Sequence, residues 1–182
     1  MRAHEKGTAE EIWEQANGQV DAFVMGAGTG GTLAGVSRVL RARNPRVKIF
    51  LADPPGSALY NRVAHGVLYA DEQSERTAKR NRYDTVMEGV GLDRLTSNFA
   101  AASVDVAIRV ADADSIQMAR RLLREEGLFV GGSSGMNCVA VVRAAEMLPP
   151  GSTIVTILCD GGQRYLGRLW GLEVEEVEQS QA

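Results

Sequence analysis

The sequence of 182 residues predicts an α/β fold, a parallel sheet with helices on both faces. Two observations carry that prediction. Short apolar runs alternate with stretches of helical periodicity along nearly the whole chain, and apolar strands of this kind belong to sheets covered on both sides. Three of the runs, DAFVMGAGTGG, LFVGGSSG and TILCDGGQ, pass from strand through glycines into a helix. Ligands of open α/β sheets sit beyond the carboxyl ends of the strands, so three glycine-rich mouths on that edge predict one small-molecule site.

Taken in order, residues 8–16 form an amphipathic helix, with Thr8 as its N-cap and Ile12 and Trp13 facing inward. Residues 22–25 are a buried strand. After the glycines, Leu33, Val36, Val39 and Leu40 share one helical face up to Asn44-Pro45. Residues 47–52 are a second strand, stopped by Asp53-Pro54-Pro55-Gly56, and residues 57–63 a short helix. The polar stretch 66–84 reads as a long exposed loop. Residues 104–110 alternate as a strand does. Asp112 or Asp114 then caps a helix carrying Ile116, Ala119, Leu122 and Leu123. Residues 128–130 read as a short strand, 136–148 as a helix, 153–158 as a buried strand and 163–170 as a last helix. The acidic end, residues 173–182, is expected to be a disordered tail on a single domain of residues 1–172.

Bulk properties narrow the function. Hydrophobic residues are 45% and charged residues 24%, ordinary for a globular chain, and the net charge of −3 gives no reason to expect nucleic acid or an anionic membrane. No apolar run approaches a membrane span, and the start MRAHEKGTAEEIW has the character of neither a secretory nor a transit signal, which points to the cytoplasm. Cys138 and Cys159 lie in apolar surroundings and read as buried free thiols. His4 and His65 stand apart, so no metal site is expected.

Gly26, Gly28, Gly30 and Gly31, with Thr29 and Thr32 among them, join the first strand to its helix. A strand that breaks on glycines into a helix turns backbone N–H groups toward the helix N-terminus, where an anion can approach them and the helix dipole favours its charge. This stretch reads as a phosphate cup. It also satisfies G-x-G-x-x-G, and Asp53 ends the next strand where a dinucleotide-binding fold places its ribose-binding acid. The threonine hydroxyls favour a compact phosphomonoester instead. A glycine turn without a ligand is the plainer alternative.

Five segments in order, GTAEEIW, GAGTGGT, EGVGLDRLTSNF, VGGSSG and CDGGQRYL, resemble the C-terminal half of the cysteine synthase / cystathionine β-synthase family over residues 2–170. The resemblance implies a tryptophan-synthase-β-like fold, incomplete at the N-terminus, and pyridoxal 5′-phosphate as cofactor. By it, Gly28, Thr29, Gly30, Gly31 and Thr32 hold the cofactor phosphate. Glu88, Gly89, Val90 and Gly91 line the site beside the substrate amino acid, and Gly132, Ser133, Ser134 and Gly135 form a second helix N-terminus facing it. A turn after a charged loop, and a serine-capped helix start, are the structural alternatives for those two segments. A family serine that bonds the pyridine nitrogen falls here on Gly161, leaving the Asp160 carboxylate as the adjacent candidate for that ring contact.

The same resemblance implies a Schiff-base lysine, and Lys6, Lys48 and Lys79 all lie outside the family's lysine motif. The lysine and the loop that grips the substrate carboxylate belong to the family's N-terminal half, so the expectation is a chain that begins after both and is inactive alone. Within the family it would serve β-replacement of O-acetylserine or a similar activated serine by sulfide or a thiol, in a homodimer. Alternatively it is a non-catalytic paralogue docking on a full-length subunit that covers its open sheet, or a dinucleotide domain using Asp53.

Overall fold

The computed structural model describes residues 1–69, 85–167 and 169–171. The elements are α1 (Arg2–Lys6), α2 (Thr8–Gln15), β1 (Ala22–Gly26), α3 (Gly31–Arg43), β2 (Lys48–Asp53), α4 (Ala58–His65), α5 (Ser97–Ala100), β3 (Val106–Arg109), α6 (Asp112–Glu126), α7 (Gly132–Ala145) and β4 (Ile154–Thr156), followed by a 3-10 turn (Gly162–Tyr165). The strands form one sheet in the order β3-β2-β1-β4, and every pair is parallel.

Side chains alternate across a strand, and the core divides accordingly. Phe23, Ile49 and Leu51 face a layer made by Ile12 of α2, Leu33, Val36 and Leu40 of α3, and Leu59 of α4. Ala22, Val24, Phe50 and Ala52 face Met136, Val139, Ala140 and Ala144 of α7. Helices therefore cover both faces, as the apolar strands predict. A third cluster, Met87, Ile116, Ala119, Val130, Tyr165 and Leu169, joins α6 to the last turn.

Several local expectations are corrected. Thr8 is the first residue of α2 and caps nothing; its hydroxyl meets His4 Nδ1 at 3.0 Å. Neither Asp112 nor Asp114 caps α6. Asp112 is buried and accepts from Thr85 Oγ1 and the Val86 N–H, both at 2.6 Å, while Asp114 pairs with Arg143 at 2.6 Å. Leu123, expected on the apolar face of α6, is exposed. Residues 128–130 contribute only a single antiparallel bridge, Val130 to Gly161, because they meet the segment that follows β4 rather than the strand itself. The helix expected from Met136 begins at Gly132, so both serines lie inside it.

β4 is half-buried because, among the described residues, it is an edge strand paired on one side only. The expected last helix tightens into one 3-10 turn. Cys138 is half-buried and Cys159 exposed, both free. Most of the expected loop 66–84, Lys79 and the acidic tail lie outside the described residues. Among the described residues no helix is long and apolar enough to cross a membrane.

Candidate functional site

The chain builds β1, β2 and β3 outward on one side, then returns to place β4 on the other side of β1. That reversal makes the gap between β1 and β4 the switch point of the sheet, where open α/β folds receive ligands. A cavity of about 270 Å³ lies there. Met25, Gly26 and Gly28 line it from the end of β1, Ser133 and Asn137 from the start of α7, Cys159, Asp160 and Tyr165 from the segment after β4, and Glu88, Gly89 and Val90 from the loop above. All three glycine-rich mouths contribute to one cavity.

Gly28 is fitted closely into this wall: a Cβ there would collide with the carbonyl oxygen of Gly89. The rest of the glycine segment continues past the cavity to the N-terminus of α3. Gly30 takes φ of +79° and is backed by the main chain of Phe99, so a side chain is excluded by conformation and by space. Thr96 Oγ1 donates to the Thr29 carbonyl at 2.7 Å, and Thr32 Oγ1 lies 3.2 Å from His4 Nε2. Helices α5 and α1 thus hold the segment from behind. Among the described residues, the backbone N–H groups of Gly28 to Leu33 donate to no protein acceptor. Thr29 is exposed, Gly28 and Thr32 are half-buried, and Gly30, Gly31 and Leu33 are buried, so the segment is open to solvent at Gly28, Thr29 and Thr32.

Asp160 and Tyr165 form the opposite wall. The Tyr165 hydroxyl donates to Asp160 Oδ2 at 2.6 Å, and Asp160 Oδ1 is shielded from solvent with no partner among the described residues. Burial first, and then the Asp160 carboxylate, push the Tyr165 phenol up to about 12, so it stays a proton donor. Desolvation of its sulfur holds the Cys159 thiol above its ordinary range, although the residue as a whole is exposed; the Ser133 and Asn137 hydrogen bonds pull the other way. Cys159 is therefore a neutral thiol rather than a reactive thiolate.

Not every expected residue reaches the cavity. Gly28, Gly89, Val90, Ser133 and Asp160 line it; Thr29, Gly30, Gly31, Thr32, Gly91, Ser134 and Gly161 do not. Ser134 is buried, and its hydroxyl accepts from the Cys159 N–H at 2.9 Å. Gly161 packs on the side chain of Gln163. Asp53 is fully buried and accepts from the Tyr60 N–H at 2.8 Å, so it anchors α4 where a ribose acid would have to face outward. Lys6 is exposed on α1, and Lys48 is exposed at the start of β2, on the edge of the sheet opposite the cavity. Sequence reasoning does not single out Asn137, Cys159 or Tyr165 as site residues; the last two carry a signal, their place in CDGGQRYL, and Asn137 carries none. Among the described residues no group of three or more histidine, cysteine, aspartate or glutamate side chains could hold a metal.

The family model described as pyridoxal-phosphate dependent enzyme matches residues 1–160. The chain belongs to that family. The order of landmarks read from the sequence and the parallel, doubly covered sheet agree with it, and pyridoxal 5′-phosphate is the family's cofactor. This family member is 49% identical over 174 residues to cysteine synthase 2 of Schizosaccharomyces pombe, an alignment covering 94% of this chain and 44% of the relative. It is 45% identical over 181 residues to the putative mitochondrial cysteine synthase of Saccharomyces cerevisiae, covering 97% and 46%. Among solved structures, the O-acetylserine dependent cystathionine beta-synthase from Helicobacter pylori superposes with a TM-score of 0.76 at 30% identity, covering 91% of this chain and 48% of that one. The chain spans less than half the length of each of these relatives.

Proposed function

We propose that the cavity and the adjoining glycine segment receive pyridoxal 5′-phosphate, the phosphate on the Gly28–Thr32 backbone and the ring between Gly28 and Asp160. The observation that carries this reading is the run of N–H groups without protein acceptors at the N-terminus of the 13-residue helix α3, beside a cavity at the switch point. A phosphate dianion suits those donors, with Thr29 and Thr32 hydroxyls close by. Asp160, kept in place by Tyr165, is the carboxylate available to a ring nitrogen, a role for which Gly161 has no side chain. Gly89, Val90, Gly91, Ser133 and Ser134 belong to the walls that would confine an amino-acid substrate, with Ser134 acting through Cys159.

The cofactor, when bound, supplies an electron sink for negative charge developing at the substrate's α-carbon. What the residues described here contribute is binding, orientation and exclusion of water. By its likeness to cysteine synthases, the activity served is β-replacement of O-acetylserine or a similar activated serine by sulfide or a thiol. No lysine lines the cavity among the described residues, so the chain alone is expected to bind the cofactor without turning over substrate. Titrating the full chain with pyridoxal phosphate, with inorganic phosphate as competitor, tests the binding reading; absence of saturable, phosphate-sensitive binding overturns it. A borohydride-fixed adduct together with sulfide-dependent consumption of O-acetylserine would overturn the expectation of inactivity.

A second reading is favoured by one observation. Among the described residues β4 has one unpaired edge, and Leu158 just beyond the strand and Leu128 and Phe129 beside the segment that follows it are exposed. An apolar sheet edge of this kind is covered when a further chain packs there. Docking on a full-length subunit, or a homodimer, is accordingly the partner reading. A chain that remains a cooperatively folding monomer during size exclusion at all concentrations counts against it.

A further inference from the structure

β1 and β4 pair only as far as Val24 and Thr156; beyond that the two strands separate to form the crevice. One side chain spans the separation. Asn137, from the second turn of α7, accepts from the Gly26 N–H through Oδ1 at 2.8 Å and donates through Nδ2 to the Ile157 carbonyl at 2.8 Å. Nδ2 also lies 3.6 Å from Cys159 Sγ. A donor on one strand and an acceptor on the other fix which end of the carboxamide faces which. The residue is 1% exposed and lies among Met136, Val139 and Ala140 of α7, so an asparagine there stands only because both its ends are matched.

We propose that Asn137 is a positioning residue of the site, a side-chain rung that sets the width of the crevice between the Gly26–Gly28 backbone and the Cys159–Asp160 wall. The consequence for pyridoxal phosphate rests on the cofactor reading above. With the rung in place, the start of the glycine segment and the carboxylate wall are held at a fixed separation, and a flat ring is admitted between them without a rearrangement of either strand. Without it, Gly26 loses a partner in a buried place and Ile157 one in a half-buried place, and the strand ends close or splay.

The test uses the full chain in two variants. Asn137→Ala removes the rung. Asn137→Asp keeps its shape, accepts from Gly26 but, when ionised, repels the Ile157 carbonyl; protonated, it has the acceptor and the donor of the original carboxamide. At pH 8 both variants are expected to bind pyridoxal phosphate about tenfold more weakly than the unaltered chain, the size of one lost hydrogen bond. At about pH 5, where burial at this 1% exposed position raises the carboxyl of N137D enough for it to take up a proton, its affinity relative to the unaltered chain recovers, whereas that of N137A does not. A loss of general stability would give no such difference between the two. Equal affinity of N137A and the unaltered chain, or a folded N137D with no recovery at low pH, overturns the proposal. Ligand-free amide spectra are read alongside: N137A must displace the signals of Gly28 and Asp160 while leaving those of Lys48 and Ser152 at the far edge, and undisplaced signals overturn it too. If the unaltered chain binds no pyridoxal phosphate, the cofactor reading fails, and those spectra alone decide whether Asn137 sets the crevice.

Discussion

The hydroxyl of Tyr165 donates to Asp160 Oδ2 at 2.6 Å, joining the last turn of the chain to the wall of the cavity. The phenol is raised to about 12, chiefly by burial and next by the carboxylate. A folded value above the ordinary 10 means the group's contribution to stability is whole below pH 10 and disappears as pH climbs through 12. Tyr165→Phe is expected to cost about 1.5 kcal/mol, the range for a hydrogen bond to a charged group. In a spectrophotometric titration it should remove one tyrosine that titrates near 12. Loss of an ordinary tyrosine signal instead would contradict the assignment.

Ser133 and Ser134 are neighbours with different duties, and substitution should separate them. Ser134→Ala leaves the part-buried Cys159 N–H without its acceptor, an expected loss of about 1 kcal/mol in denaturant unfolding. Ser133→Ala, at a half-buried position in the cavity wall, should change stability by less than about 0.5 kcal/mol while weakening pyridoxal phosphate binding. The reverse pattern would mean that the two serines have exchanged roles.

Gly28→Ala places a methyl group against the carbonyl of Gly89, so the 88–90 loop has to withdraw from the cavity. Overpacking of this kind costs about 1–3 kcal/mol, and affinity for pyridoxal phosphate should fall by more than tenfold. Affinity equal to that of the unaltered chain would show that the loop moves freely.

Asp53 is raised to about 7, first by burial, against hydrogen bonds from Ser57 and Tyr60 and the charge of Arg109. The folded state thus holds its proton more tightly than the unfolded chain. The stability tied to that proton is full below about pH 4 and is lost as pH rises through 7, above which the dependence is flat. Asp53→Asn abolishes the titration, so its melting temperature relative to the unaltered chain should be higher at pH 8 than at pH 4.5. A difference independent of pH would show that Asp53 does not titrate in this range.

Periodicity alone supplied the parallel sheet and most helices, because Phe23, Val24, Leu33, Val36, Ile49 and Leu51 repeat with the spacing of the faces they bury. It misplaced the start of α7: Gly132 to Gly135 look like a loop by propensity, yet packing on α6, where Gly135 meets the carbonyl of Ser115, continues the helix through them. Likewise Asp112 has the position of a cap, but Thr85 and Val86 claim its oxygens.

By itself the sequence determined the fold class, the family and the edge of the sheet on which the glycine-rich turns gather, since each depends on local spacing and on short motifs that no distant contact can rewrite. Only the tertiary structure decided that Asp53 faces inward, that Asn137 bridges β1 and β4, and that Tyr165 holds Asp160. Those pairings join positions brought near by the order β3-β2-β1-β4, and the partner of a polar side chain is set by what the fold delivers to it, which no residue records in its own neighbourhood.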